Sequence, residues 1–219
     1  MTERRTLAVL VSGSGSNLQA LLDASATADF PARVGVVLSN LPGVRALERA
    51  RAAGVPTVVL PHQPYPTRAA YDAALLATLA PYRPDIGCLA GFMRLVGGDF
   101  LRAFPLGVLN IHPALLPSFP GLHAVRQALE YGVRVSGCTV HLVDEGTDTG
   151  PVIAQAAVPV LETDSETTLG ARIQHEEHRL YPLAVRLLST GAVLRSGRRC
   201  TGGAGPETSG LTLLNPGLG

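Results

Sequence analysis

The sequence contains no lysine and no tryptophan. Its 18 basic residues are all arginines and stand against 17 acidic residues, so the net charge at pH 7 is +1. Without lysine, the chain cannot use a Schiff-base lysine, a lysine general base or the lysine of a Walker-type phosphate loop. The near balance of charge also disfavours bulk binding to nucleic acid.

Cysteines and long apolar runs are scarce as well. Cys88, Cys138 and Cys200 are odd in number and far apart, which predicts neither a disulfide framework nor a thiolate zinc site. Reduced thiols in the cytoplasm are the simplest interpretation. No apolar run reaches the roughly 18 residues typical of a membrane helix. The run Leu7–Val11 is too short for a signal peptide. We therefore expect no membrane partner.

Apolar strands alternate with helices through the first half of the chain. Such strands, separated by helices, are typical of a parallel sheet covered on both faces. We expect one α/β domain over residues 1–195, with a mostly parallel twisted sheet, helices on both faces and a Rossmann-like N-terminal half. The predicted strands are Leu7–Ser12, Val34–Ser39, Pro56–Leu60, Ile86–Ala90 and Val108–His112.

The second half follows a different pattern, in which a proline-punctuated loop leads to a helix, two strands and a long helix. Pro182 is expected to interrupt that long helix, because proline lacks an amide hydrogen and clashes with the preceding turn. Residues 196–219 are rich in glycine, serine, threonine and proline, which predicts a flexible C-terminal tail. The predicted elements are a helix at Ala124–Tyr131, strands at Ser136–Val143 and Val152–Val160, and a helix that begins near Ser165.

A glycine-rich segment, Ser12-Gly13-Ser14-Gly15-Ser16-Asn17, joins the first predicted strand to the first helix. Glycines let the backbone approach an anion, and a helix N-terminus offers free amide groups. A dinucleotide site would need a third glycine where Leu18 stands, and an acid near Ser39-Asn40, where the second strand ends. The segment therefore predicts a cradle for a single phosphate. A tight turn capped by Ser16 is the alternative.

Asn110 and His112 lie at the end of the fifth predicted strand. Because a strand has a period of two, both side chains project to the same side. They stand at the carboxyl end of a parallel strand, where open α/β sheets bind ligands. An amide that holds an oxyanion beside an imidazole that donates a proton suits chemistry at a carbonyl carbon. A purely structural histidine at the strand end is the alternative.

An acidic loop follows the sixth predicted strand and contains Asp144, Glu145 and Asp148. Spacing alone does not single out one of them. A carboxylate placed beside His112 would favour the charged imidazole. A metal site is the competing interpretation, but the histidines and acids lack ligand spacing, so no metal is expected. His141, on the preceding strand, shares a face with Thr139 and could reach the site, but it is interpreted as a buried histidine with satisfied hydrogen bonds.

Glu177 falls on the apolar stripe of the long predicted helix. A buried carboxylate is costly unless it is hydrogen-bonded or paired with a positive charge. The hydroxyl groups of a ligand would satisfy it, and so would a structural arginine such as Arg172. The apolar members of the stripe are Leu169, Ile173, Leu180 and Ala184.

Several segments, taken together, resemble one family. They are Val11–Ala20, Ala90–Leu95, Asn110–Pro117, Pro120–His123 and Asp148–Pro151. The family is that of the folate-dependent phosphoribosylglycinamide formyltransferases of purine biosynthesis, and the resemblance covers about residues 6 to 195. It implies the formyltransferase fold and the transfer of a formyl group from 10-formyltetrahydrofolate, as co-substrate, to the amine of glycinamide ribonucleotide.

The resemblance also implies roles for individual residues. Asn110 and His112 match the pair that stabilises the tetrahedral intermediate, and Asp148 matches the acid that keeps the imidazole charged and helps to relay a proton. Glu177 matches the residue that binds the hydroxyls of the ribonucleotide. The residues that would hold its phosphate are Gly15, Ser16 and Asn17. The implied folate contacts are Arg68, Met93, Arg94, Leu95, Val96 and Asn110.

Three other functions compete with this one. Methionyl-tRNA formyltransferases share the Asn, His and Asp core but carry an RNA-binding domain, for which this chain lacks the length and basic charge. Formyltetrahydrofolate hydrolases usually carry an additional N-terminal domain, whereas the first strand here is predicted near residue 6. A binding module for a phosphoribosyl ligand would have no turnover. The favoured function implies small-molecule substrates alone, and a monomer or homodimer.

Overall fold

A seven-stranded sheet organises the chain in the computed structural model, which describes residues 4–203. The strands are β1 (Arg5–Val11), β2 (Ala32–Ser39), β3 (Thr57–Val59), β4 (Ile86–Leu89), β5 (Val108–His112), β6 (Val135–Leu142) and β7 (Val152–Pro159). Their order across the sheet is β3-β2-β1-β4-β5-β6-β7. The first five pair in parallel, and β6 and β7 are antiparallel to their neighbours.

Helices cover both faces of this sheet. They are α1 (Ser16–Ala26), α2 (Arg45–Ala52), α3 (Arg68–Leu79), α4 (Gly98–Arg102), α5 (Ala124–Tyr131) and α6 (Glu166–Ser189). One core cluster joins the sheet to α1, α2, α5 and α6, and a second joins it to α3 and α4. The predicted α/β domain with a mostly parallel sheet is confirmed. The short helix α4 is an addition that the sequence pattern did not predict.

Burial on both faces of the sheet explains why the parallel strands have continuous apolar sequences. In β1, Leu7, Val9 and Val11 belong to one cluster, whereas Ala8 and Leu10 belong to the other. All five are fully buried. Because helices cover both sides, neither face of the strand needs polar residues.

The long helix α6 continues through Pro182, so the prediction of an interruption there is wrong. Its buried face runs across the proline without a break, with Leu180 and Tyr181 before it and Ala184 and Val185 after it. Packing of this face against the sheet outweighs the loss of one helical hydrogen bond. None of the helices in residues 4–203 combines the length and the apolar character needed to cross a bilayer.

A β-hairpin replaces the first part of the predicted tail. It consists of β8 (Val193–Ser196) and β9 (Arg199–Gly202), which pair antiparallel. The prediction of a flexible tail from residue 196 is therefore wrong for this stretch, because backbone pairing and the packing of Cys200 against the core order a polar, glycine-containing segment. The rest of the predicted tail, residues 204–219, lies outside the described residues.

Tyr181 ties α6 to the middle of the sheet. Its fully buried hydroxyl lies 3.0 Å from the carbonyl oxygen of Leu89 in β4 and 3.2 Å from that of Leu109 in β5. We expect Tyr181→Phe to lower the free energy of unfolding by about 1–3 kcal/mol, since it leaves buried carbonyls without their donor. Urea unfolding measures this. The matched change Tyr131→Phe, at a residue that is 80% exposed, should shift stability by less than about 0.5 kcal/mol.

Candidate active site

Two neighbouring cavities open at the carboxyl ends of the central strands. The order of connections reverses between β1 and β4, and such a switch point leaves a crevice for ligands. The larger cavity has a volume of about 530 Å³ and the smaller about 210 Å³. They share Gly91 and Met93 in their walls, so ligands in the two cavities would lie next to each other.

The smaller cavity is built by the glycine-rich segment, whose residues 12–17 line it. Gly15 has a φ of 71°, and a Cβ there would lie 2.7 Å from the Cβ of Ala46. Only glycine fits, because both the left-handed conformation and the close approach exclude a side chain. Gly15 is also the residue that precedes α1, and no side chain caps the helix. The alternative of a turn capped by Ser16 is therefore wrong, and no side-chain cap competes with an anion at the helix N-terminus.

Two side chains from other helices brace this segment. Gln174 of α6 donates from Nε2 to Oγ of Ser16 at 3.1 Å, and Arg49 of α2 donates from Nε to the carbonyl of Ser14 at 3.0 Å. Neither residue was predicted from the sequence. For Gln174 a signal existed, because it stands three residues before Glu177 and so lies on the same side of the helix. For Arg49 there was none, since α2 reaches the segment only through the fold.

Glu177 is buried, with 7% of its surface exposed, and its Oε2 accepts a hydrogen bond of 2.9 Å from Nδ2 of Asn17. Burial raises the pKa of this carboxyl, and the Asn17 hydrogen bond offsets only part of the rise. The alternative of a structural arginine is wrong, because Arg172 pairs with Asp164 at 2.7 Å instead. Oδ1 of Asn17 has no hydrogen-bond partner among residues 4–203.

Asn110, His112 and Asp148 meet in the wall of the larger cavity. Nδ2 of Asn110 lies 3.3 Å from Oδ1 of Asp148, and Nδ1 of His112 lies 3.3 Å from Oδ2 of the same carboxylate. Asn110 and His112 come from β5, and Asp148 comes from the loop between β6 and β7. The structure thus brings the predicted pair of β5 together with one of the three acids of the loop.

The imidazole of His112 lies between two hydrogen-bond acceptors. Nε2 lies 2.8 Å from the carbonyl oxygen of Phe119, which can only accept a hydrogen bond, so this nitrogen is the donor. Nδ1 lies 3.3 Å from the Asp148 carboxylate. The two contacts define the orientation of the ring at the end of β5.

Asp148 is held in a strained and well-defined position. Its backbone has a φ of 55°, and the amide of Gly121 donates to its Oδ2 at 2.8 Å. Burial acts to raise the pKa of this carboxyl, but its contacts with His141, Gly121 and His112 outweigh burial and hold the pKa below its usual value. The group is therefore ionised at neutral pH.

The other two acids of this loop have different surroundings. Asp144 accepts hydrogen bonds at its Oδ1 from the amide of Gly146 and the hydroxyl of Thr149, so it shapes the turn. Glu145 is exposed and lies 3.9 Å from Arg102. Of the three candidates, only Asp148 reaches the side chains of β5.

His141 takes a more central position than expected. It is buried and satisfied, as predicted, with its Nδ1 donating to the carbonyl of Leu142 at 3.0 Å. Its Nε2 also lies 3.3 Å from Nδ2 of Asn110 and 3.6 Å from Oδ1 of Asp148. The cause is the strand register, which places His141 directly opposite Asn110. No sequence pattern reveals this pairing.

The predicted folate residues fall into two groups. Met93, Arg94, Leu95 and Val96 line the larger cavity, with Met93 62% and Leu95 61% exposed and Val96 buried. Arg68 does not line it; it begins α3, and its guanidinium lies near Gly97. Within residues 4–203, no cluster of three histidine, cysteine or acidic side chains is arranged to hold a metal ion.

Comparisons with known proteins agree on one family. The formyl transferase family model matches residues 5–185. The chain is 51% identical over 197 residues to a phosphoribosylglycinamide formyltransferase of Mycobacterium tuberculosis, with 90% of this chain and 91% of that protein covered. It is 50% identical over 194 residues to the trifunctional purine biosynthetic protein adenosine-3 of Drosophila pseudoobscura pseudoobscura. That match covers 88% of this chain but only 14% of that much longer protein.

Solved structures give the same result. The crystal structure of glycinamide ribonucleotide transformylase 1 from Symbiobacterium toebii superposes with a TM-score of 0.90 at 53% identity, over 92% of this chain and 95% of that one. A phosphoribosylglycinamide formyltransferase from Brucella melitensis has a TM-score of 0.81 at 46% identity, over 89% of this chain and all of that one. With the sheet, the crevice and the family model in agreement, this chain belongs to the formyl transferase family.

Proposed function

We propose that this chain transfers the formyl group of 10-formyltetrahydrofolate to the amine of glycinamide ribonucleotide. The products are N-formylglycinamide ribonucleotide and tetrahydrofolate, in de novo purine biosynthesis. The observation that carries the proposal is the junction of two cavities. A phosphate-sized cradle adjoins a larger cavity whose wall contains Asn110, His112 and Asp148.

The smaller cavity suits the ribonucleotide. Its phosphate fits the free amides of Gly15, Ser16 and Asn17, because a helix N-terminus attracts an anion. Glu177 lies at the edge of the same segment through its contact with Asn17. A buried carboxylate accepts hydrogen bonds well from paired hydroxyls, and this would offset the cost of its charge. Gln174 would add an amide donor next to the phosphate.

The larger cavity suits the folate. It presents the segment from Met93 to Val96 and is mostly apolar elsewhere, which fits a flat ring system with polar edges. Arg94 in the wall and Arg68 near its end supply positive charge for folate carboxylates. The proposed co-substrate is a small molecule, and the proposed reaction needs no metal ion.

The three clustered side chains supply the chemistry. The amine nitrogen attacks the formyl carbon, a new carbon–nitrogen bond forms, and the carbonyl oxygen becomes an oxyanion. Asn110 and the imidazolium of His112 stabilise that oxyanion. The bond to the folate nitrogen then breaks, and the proton lost by the amine is relayed to the departing nitrogen. Asp148 orients the imidazole and takes part in this relay.

The hydrogen bonds of Asn110 are long, at 3.3 Å to each partner. An amide held this loosely can turn towards a substrate oxygen at small cost, since such contacts tighten only when the substrate is bound. The proposal also includes a cytoplasmic location, where the free thiols of Cys88 and Cys138 stay reduced.

A formyltetrahydrofolate hydrolase is the second candidate, because its chemistry needs the same three side chains. A hydrolase needs no second substrate, however, and the braced cradle at Gly15–Asn17 would then have no role. An assay with 10-formyltetrahydrofolate, run with and without glycinamide ribonucleotide, separates the two. Formyl transfer that depends on the ribonucleotide supports the proposal, and release of formate without it supports the hydrolase.

In this assay we expect Asn110→Ala to lower kcat by about 10²–10³-fold, roughly 3–4 kcal/mol, because it removes one oxyanion donor. Thermal unfolding of the variant should stay near that of the parent, which separates lost chemistry from lost structure. Undiminished turnover would remove Asn110 from the mechanism, and a complete lack of turnover in the parent chain would favour a binding module.

Asp148→Asn should lower kcat by about 10²-fold. It should also change the pH profile of kcat, because the ionised carboxylate beside His112 is lost. Asp144→Asn is the matched control in the same loop; its turn contacts tolerate an amide oxygen, and its pH limbs should stay in place. The readout is kcat against pH. Identical limbs in parent and Asp148→Asn would contradict the role of Asp148.

Glu177→Gln should raise KM for the ribonucleotide by about tenfold, with a smaller effect on KM for the folate. The same change should increase the free energy of unfolding at pH 7. Burial raises the pKa of Glu177 in the folded state. The stabilisation that the protonated carboxyl contributes is therefore present below the unfolded pKa, and it is lost as pH rises through the folded pKa.

The gain from Glu177→Gln should therefore fade towards pH 4, near the unfolded carboxyl pKa of about 4.3. Chemical denaturation at several pH values measures it. Glu176→Gln is the neighbouring control, because Glu176 pairs with Arg179 instead of facing the cradle. Equal changes in the two KM values of Glu177→Gln would count against the ribonucleotide contact.

A further inference from the structure

The segment from Met93 to Gly97 forms one wall of the larger cavity without belonging to a helix or strand. Two buried side chains hold its ends. At the start, the amide of Met93 donates to Oγ of Ser12 at 2.9 Å. At the end, the amide of Gly97 donates to Oδ2 of Asp72 at 2.7 Å. These two bonds tie both ends of the segment to side chains of other elements.

Asp72 is an unusual residue to find at the second anchor. It lies on α3, is only 4% exposed, and has no ion pair within 4.0 Å among residues 4–203. Its Oδ1 has no hydrogen-bond partner among those residues. Burial raises the pKa of Asp72, and the Gly97 amide and the charge of Arg68 offset only part of the rise. An apolar residue would pack in this position at lower cost.

The geometry at Gly97 shows how close the contact is. A Cβ at Gly97 would lie 2.9 Å from Oδ2 of Asp72, so a side chain at residue 97 would displace the carboxylate from its present position. The guanidinium of Arg68, one helical turn before Asp72, lies beside the same glycine. Asp72 thus joins the end of the cavity wall to the helix that carries Arg68.

We propose that Asp72 is a positioning residue for the folate co-substrate. Its carboxylate accepts the Gly97 amide and thereby aligns the backbone of residues 93–96 for a ligand in the larger cavity. The inference rests on the proposed function for the identity of that ligand. The cost of burying Asp72 is then offset by a correctly shaped wall, and the residue touches neither substrate.

Asp85 provides a closely matched control. Its Oδ2 accepts the backbone amide of Thr6 at 2.8 Å, the same type of bond, and its Oδ1 lies 3.4 Å from the guanidinium of Arg5. It precedes β4 and so lies at the opposite end of the strands from the two cavities. Loss of this bond should therefore destabilise the fold without altering the site.

The test compares Asp72→Ala, Asp72→Asn and Asp85→Ala in steady-state assays with both substrates. We expect Asp72→Ala to raise KM for 10-formyltetrahydrofolate about tenfold and KM for the ribonucleotide less than about twofold, because one hydrogen bond near the folate is lost. Asp72→Asn retains an acceptor for Gly97 and should restore the folate KM to within about threefold. Asp85→Ala should lower the unfolding temperature and leave both KM values unchanged.

Hydrogen–deuterium exchange gives a readout that does not depend on turnover. Peptides covering residues 92–98 should exchange faster in Asp72→Ala than in Asp85→Ala, when the two variants are compared at equal free energies of unfolding. If Asp72→Ala does not fold, Asp72→Leu, which fills the site without an acceptor, replaces it in both measurements.

Three results would overturn the inference: equal rises in both KM values, a folate KM in Asp72→Asn as high as in Asp72→Ala, or unchanged exchange at residues 92–98. Failure of the proposed function would look different, because the parent chain itself would then transfer no formyl group. In that case the exchange experiment, together with calorimetric binding of tetrahydrofolate to the parent and Asp72→Ala, still decides whether Asp72 shapes the cavity.

Discussion

The contact between Asp148 and His112 is the interaction on which the arrangement of the site depends. It joins an irregular loop to the end of a central strand, and together with the Phe119 carbonyl it defines the orientation of the imidazole. Because Oδ1 of the same carboxylate faces Asn110, one charged group orients both side chains of β5. Its ionised state follows from the imidazole and amide contacts that outweigh its burial.

Three buried or half-buried carboxylates lie in or next to the walls of the crevice, and each accepts a hydrogen bond from a backbone or side-chain amide. Asp148 contacts Gly121, Glu177 contacts Asn17, and Asp72 contacts Gly97. None of them is paired with an arginine or lysine within 4.0 Å among residues 4–203. Burial of such groups lowers stability, so their concentration around two cavities is typical of a site that ligands complete. The cores on the two faces of the sheet provide the stability that tolerates this cost.

The parallel half of the sheet was predictable because its strands are apolar on both faces, a property that appears directly as continuous runs such as Leu7–Val11. The glycine-rich segment, Asn110, His112 and Glu177 were visible for similar reasons, since each follows from a local period or spacing. Pro182 and the hairpin after Val193 were predicted incorrectly. There, local propensity favours a break or a loose chain, whereas packing against the sheet supplies the larger free energy.

The sequence by itself determined the fold class, the ends of the strands and the identity of the polar side chains placed there. Only the tertiary structure decided which of the three loop acids meets His112, that Arg172 pairs with Asp164 instead of Glu177, and that His141 stands opposite Asn110. The reason is physical: periodicity reports the direction of a side chain within its own element. Contacts between elements depend on strand register, loop path and helix packing, which become defined only when the whole sheet assembles.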